Sequence, residues 1–431
     1  MDTQAQGPAP RVVATEPRNG DQDVSLDLKE VVVTFDQDMN SSGFSFVGGG
    51  PAFPKASGKP AWKTARQCVL PVQLEPGRAY TIGINSATHA GFRSNKGASA
   101  APAVLSFKTR GTGGEPGAPM VSADKQAEAV RQLRQAIEKR YSYRDVHTVD
   151  WSAAWKEFEP RLLAAKSARE FAIVAGDMLA ATRDIHIWLM EGGEIVPAFR
   201  RSVVPNANIQ LLPKLVAGWS QKHAMIASGK AAPQIGYMAI HSWEQKHAPQ
   251  LLDAAFASLA ELGNLPALVV DVRFNAGGDE TLAREFAGCF IRERVLYASH
   301  VVLDASSPSG FSAPMERWLA PSANRPRYEG RVAVLMGPSN MSSAESFLQM
   351  MKRVPNCKLI GARSYGASGN PKPTELANGV TVFLPSWKAM LADGSALESV
   401  GIAPDIDVPA RSEEFSKSDP VLEKAIEWLQ R

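Results

Sequence analysis

The sequence predicts a multidomain chain: an all-β sandwich first, a helical cap next and an α/β domain last. Three observations carry that prediction. Short β-branched runs recur between turn residues up to about residue 110, the hydrophobic period becomes helical at Ser122, and strands alternate with helices from Gly236 onward. A length of 431 residues suits two or three domains, and 44% hydrophobic with 21% charged residues is enough for a sizeable core.

Met1 to Pro10 are small and polar, without a hydrophobic h-region, and read as a flexible leader (1–10) rather than a signal peptide. In 11–110 the runs VVVTF (Val31 to Phe35), CVLPVQL (Cys68 to Leu74) and YTIGI (Tyr80 to Ile84) are separated by Asn-Gly, Pro-Gly and Gly-rich turns. Many short strands at this spacing predict a small β-sandwich. The stretch GTGGEPGAP, Gly111 to Pro119, cannot form a regular element and marks a linker, 111–121. From 122 to 190, Ala129, Leu133 and Ile137 recur at helical spacing, then Trp151, Trp155, Phe158 and Leu162. Ser167 to Glu170 forms a capping box before a further helix ending near Ala181. Residues 191–235 show no pattern and read as a connecting segment.

The region 236–410 reads as α/β. IGYMAI is a strand, Pro249 to Leu262 a helix, and ALVVDV (Ala267 to Val272) a buried strand. The turn RFNAGGD leads to a helix from Glu280 to Phe290. VAVLM (Val332 to Met336) is a second buried strand, with KLIG and VTVFLP later. This alternation predicts a largely parallel sheet covered on both faces. Residues 411–431 end in a helix, Pro420 to Gln430.

Composition narrows the function. A formal net charge of +3 without a basic block gives no footprint for nucleic acid or an anionic membrane. No apolar run reaches the roughly 18 residues of a membrane span. The seven histidines fall in no His-x-x-x-His spacing, and the three cysteines, Cys68, Cys289 and Cys357, form no zinc or redox motif and read as buried free thiols. Neither a metal nor an organic cofactor is expected.

Two strand-to-helix turns carry the chemistry. VAVLM leads through a short loop to NMSSAES, in which Ser342 stands three residues before Glu345 and an apolar run. Locally this is a capping box. It also sets a hydroxyl at a helix N-terminus on the carboxyl edge of a sheet, where ligands of open α/β sheets bind. The Ser343 N–H there is free to meet a developing oxyanion. In the neighbouring turn, Gly277 and Gly278 let backbone approach a substrate closely and offer a second donor; an ordinary tight turn would need the same residues. Asp184 and Asn275 read as turn-holding side chains.

These blocks resemble the carboxyl-terminal processing, or tail-specific, serine proteases. LVVDVRFNAGGD is similar to that family's D-x-R-x-N-x-G-G strand and turn, VAVLMGPSNMSSAESF to its nucleophile block, and LIGARSYGASGNP to its third block. The resemblance implies an α/β catalytic domain of ClpP/crotonase-like type with Ser342 as nucleophile. Much of the family places a lysine base where this chain has Ala367, and Lys372 and Lys388 match no family position. A branch similar to the tricorn core instead carries a histidine in D-x-H and an acid in D-G-x-x-(L/I)-E. Asp184-Ile185-His186 and Glu398 match those patterns, although Ile185 stands where that branch often has serine. The resemblance thus implies a Ser342, His186, Glu398 triad, with Gly277 or Gly278 and Ser343 as the oxyanion hole. By itself His186 would read as a cap or surface residue, and Glu398 as a solvated loop carboxylate. The family's usual PDZ domain has no room in 191–235. The opening ATEPRNGDQDVSLDLKEVVVTFDQDM resembles a bacterial Ig-like module, and both resemblances imply export.

The expected function is serine hydrolysis through an acyl-enzyme, with a peptide or small ester as partner; the oligomeric state is not legible. A carboxylesterase on the same scaffold and a non-catalytic binding protein are the alternatives. Activity should fall as pH drops through roughly 6.5, the ordinary histidine value.

Overall fold

A computed structural model describes residues 9–110, 120–199, 203–410 and 414–431, apart from positions 22, 87 and 88. Most of the expected leader and linker lies outside the described residues.

In the first hundred residues, alternation decides the layers. Along Glu30–Phe35 every second side chain is buried, sending Val31, Val33 and Phe35 inward. This strand lies between Val12–Glu16 and Gln67–Gln73 in one antiparallel sheet; Phe46–Val47, Ala79–Ile84 and Ala103–Lys108 make another. One core joins them, built on Val33, Cys68, Leu70, Ile82, Phe92 and Phe107.

Three capped helices follow. Ser122, Asp150 and Ser167 each accept an N–H of the first turn, starting Ala123–Arg140, Trp151–Ala164 and Ala168–Leu179. Their apolar faces, including Leu133, Ile137, Phe171 and Met178, meet a four-stranded antiparallel sheet. That sheet runs Glu194–Pro197, Trp188–Glu191, Thr381–Leu384, Lys372–Glu375. VTVFLP is therefore a strand as expected, but it covers the helical cap rather than joining the large sheet.

The large sheet has seven strands, in the order Ala217–His223, Ile226–Ala232, Ile235–Ile240, Ala267–Asp271, Arg331–Met336, Cys357–Gly361, Ile406–Asp407. The last five are mutually parallel. Period-2 alternation sends Leu268, Val270, Val332 and Val334 to one face and Val269, Ala333 and Leu335 to the other. Helices Gln250–Leu262, Glu280–Ala287 and Ser343–Met351 cover the first face, and Pro420–Leu429 the second. The segment 191–235 is not a patternless connection: it holds two strands of the large sheet, paired as an antiparallel edge hairpin whose Ser, Lys, Gln and His residues mask the apolar signal. Cys68, Cys289 and Cys357 are free and buried. No described helix is long and apolar enough to cross a membrane.

Candidate active site

The Arg331–Met336 strand ends in a loop that delivers Ser342 to the helix Ser343–Met351. Asn340, fully buried, staples this loop to its neighbour. Its Nδ2 donates to the carbonyls of Val272 (2.6 Å) and Asn275 (3.0 Å), and its Oδ1 accepts the Gly337 N–H. Ser342 sits at φ 55° and ψ −129°, a conformation costly for a residue with a Cβ. Its N–H donates to Ala367 O at 2.8 Å.

In that conformation the Ser342 side chain makes no capping bond, so the capping-box reading does not hold at this helix. Glu345, the other half of the box, turns inward. It accepts Ser364 Oγ (2.5 Å) and the N–H groups of Gly366 (2.8 Å) and Ala367 (3.1 Å). Burial pushes its carboxyl up to about 8 against the pull of those donors. Glu345 thereby fixes the 364–367 segment that receives the Ser342 N–H.

Gly277 and Gly278 stand opposite. A Cβ on Gly277 would lie 2.9 Å from both Met341 O and Ser342 Cβ, and one on Gly278 2.2 Å from the Trp243 carbonyl carbon. The Gly277 N–H is taken, donating to Asn275 Oδ1 at 2.9 Å. The Gly278 and Ser343 N–H groups donate to no described residue, while Ser343 Oγ donates to Gly278 O at 2.7 Å and locks the turns together. Beside them is a cleft of about 530 Å³ lined by Glu280, Arg284, Arg317, Ser342, Ser346 and Trp387, among others. Arg317 is buried and ion-paired to Glu280, with its guanidinium 4.8 Å from the Trp387 ring; burial brings its pKa down to about 10.

His186 follows a turn held as expected by Asp184, whose Oδ1 accepts the His186 N–H at 2.8 Å while Oδ2 accepts Tyr141 OH at 3.0 Å. The His186 ring is 8% exposed and its Nδ1 has no partner, so burial pulls its pKa below the ordinary value. Glu398 is not solvated either, at 8% exposure. It accepts the Ser368 N–H at 3.1 Å, and burial raises its pKa.

Ser342 and Glu398 thus attach to consecutive residues of one segment, Ala367 and Ser368. Among the described residues no hydrogen bond links Ser342 to His186 or His186 to Glu398. The imidazole beside Glu398 is that of His147, 3.6 Å from Glu398 Oε1 and 3.8 Å from Asp184 Oδ2. No motif marks His147; its partners lie far away in sequence. Lys388 is engaged with Asp145, and Ala367 offers only backbone groups to the site.

Residues 234–408 match the model of Peptidase family S41, and residues 127–180 that of the tricorn protease C1 domain. The chain is 26% identical over 218 residues to a protein of Sulfurisphaera tokodaii assigned as a tricorn-like protease C-terminal subunit, aligning 48% of this chain with 22% of that one. It is 26% identical over 165 residues to the tricorn protease of Thermoplasma acidophilum, aligning 38% of this chain with 14% of that one. The chain therefore spans a quarter or less of the length of these relatives. Its fold is similar to the crystal structure of a protein assigned as a peptidase from Parabacteroides merdae, with a TM-score of 0.61 and 24% identity, over 71% of this chain and 97% of the other.

Proposed function

From a chain whose residues 234–408 match the model of Peptidase family S41 and whose residues 127–180 match that of the tricorn protease C1 domain, we propose a serine peptidase that works through an acyl-enzyme on Ser342. The observation that carries this reading is the strained, uncapped Ser342 beside two N–H groups that meet no acceptor among the described residues. Ser342 Oγ attacks the scissile carbonyl carbon and passes its proton to His186. The oxyanion that forms is held by the N–H groups of Gly278 and Ser343. Gly277 gives Ser342 room rather than a donor. His186 returns the proton to the leaving amine, and water then releases the acyl group by the same route. Glu398 supplies the negative charge that balances the imidazolium. No cofactor enters these steps.

Peptides are the preferred substrates. The region 11–110 serves as an Ig-like spacer or binding module, and the chain works outside the cytoplasm, which fractionation of the source cells tests. A fluorophosphonate probe should label the native chain and leave Ser342→Ala unlabelled; equal labelling of both would reject the nucleophile. Cleavage of an unstructured protein alongside a short nitrophenyl ester separates peptidase from carboxylesterase, and an unlabelled native chain would mean a binding protein. His186 acts only when neutral. Its lowered pKa moves the acid limb of the activity profile below 6.5, so activity should persist to lower pH than an ordinary histidine base allows.

A further inference from the structure

The loop between helices Ala123–Arg140 and Trp151–Ala164 reaches the acid side of the site. It is built in rather than draped over. Ser142 N–H donates to Pro385 O, Ser142 Oγ to Trp387 O (2.8 Å) and Tyr143 OH to Ser368 O (2.5 Å), while the Tyr143 oxygen accepts the Ala389 N–H (3.0 Å). On this support the His147 ring stacks 6.4 Å from Tyr141 at 12° and meets Tyr143 edge-on. Its Nε2 faces Glu398 and Asp184, whose side chains are 7% and 1% exposed. Two buried carboxylates this close repel, and without a cation one of them takes a proton.

We propose that His147 is a positioning residue of this centre: as an imidazolium between Glu398 and Asp184, it keeps Glu398 ionised and holds the Asp184–His186 turn beside it. The inference rests on the triad reading above. It also supplies the link that Ile185 leaves open, by joining the acid-bearing loop to the histidine-bearing turn. The groups facing His147 are Glu398, Asp184, Tyr141 and Tyr143; the Glu398 charge in turn helps raise the pKa of Glu345. The Glu398 carboxylate, 3.6 Å away, and the charge of Asp184 raise the pKa of His147, while burial lowers that of His186. Between the two values His186 is neutral and His147 charged, which is the working combination.

The native chain should therefore show a bell-shaped profile, losing kcat as pH rises and His147 gives up its proton. His147→Gln keeps a donor but no charge. Its kcat should fall roughly tenfold to a hundredfold with KM little changed, and the alkaline limb should vanish. His147→Lys, which restores a cation, should recover part of the rate and move that limb to higher pH. A native profile flat from pH 6.5 to 9 overturns the proposal even if every variant misfolds, as does a His147→Gln variant with native kcat and an unchanged alkaline limb. If Ser342→Ala or His186→Ala retains native turnover, the triad reading fails instead. An inactive His147→Gln beside a fully active His186→Ala would make His147 the general base and overturn both assignments.

Discussion

Ser342 holds a conformation that costs a side-chain-bearing residue about 1–3 kcal/mol. The surroundings impose it: the Ser342 N–H is committed to Ala367, and Gly277 is packed against its Cβ. Such strain points a hydroxyl away from the first turn, where it would otherwise serve the helix. Replacing Ser342 by Gly should therefore abolish turnover and raise stability, by about 1 kcal/mol in urea denaturation. A less stable Ser342→Gly would mean that the conformation is not strained. Residue type and spacing made Ser342, Gly278 and Ser343 legible as a strand-to-helix turn with free N–H groups, but only the resemblance of the surrounding blocks lifted Ser342 above an ordinary capping residue. The sequence could not decide between Gly277 and Gly278, since that choice rests on where the Asn275 side chain accepts its bond. It was silent on His147, whose meaning lies in a contact with Glu398 across most of the chain.

The elements that carry the site are held by polar clamps as much as by apolar packing. Arg273, fully buried, ion-pairs with Asp271 and with Asp419 at 2.7 Å each, and Asp271 also accepts Tyr237 OH. Asp419 caps the helix Pro420–Leu429 through the Leu422 N–H. One guanidinium thus ties the glycine turn, the sheet and the last helix together. Arg273→Ala would leave two buried carboxylates without a cation and should cost about 3–5 kcal/mol, read as a lower urea midpoint. A loss under ~1 kcal/mol would show that water reaches the pair. The helices were legible because apolar residues at helical spacing sit between recognisable caps, and Gln250–Leu262 begins within a residue of its expected start. The edge hairpin Ala217–Ala232 was not, because an edge strand needs no continuous apolar run.

At the scale of the molecule, the first hundred residues keep their own core, and the cores of the helical cap and the large sheet contain none of their side chains. Contacts across this boundary include ion pairs of Lys108 with Asp177 and Arg78 with Glu194. The more exposed of the two, Arg78 with Glu194, contributes at most about 1 kcal/mol. A chain lacking residues 1–121 should fold and hydrolyse a small ester with kcat within about twofold of the full chain. A drop beyond tenfold would mean that the sandwich takes part in the centre itself. The helical cap behaves differently, since two of the four strands that cover it, Lys372–Glu375 and Thr381–Leu384, come from after Ser342. During translation the cap emerges early but waits with its apolar face open until those late strands leave the ribosome. Glu398 emerges later still. A nascent chain thus leaves the cap uncovered until residues 372–384 have been made, so the first helices depend on strands synthesised long after them.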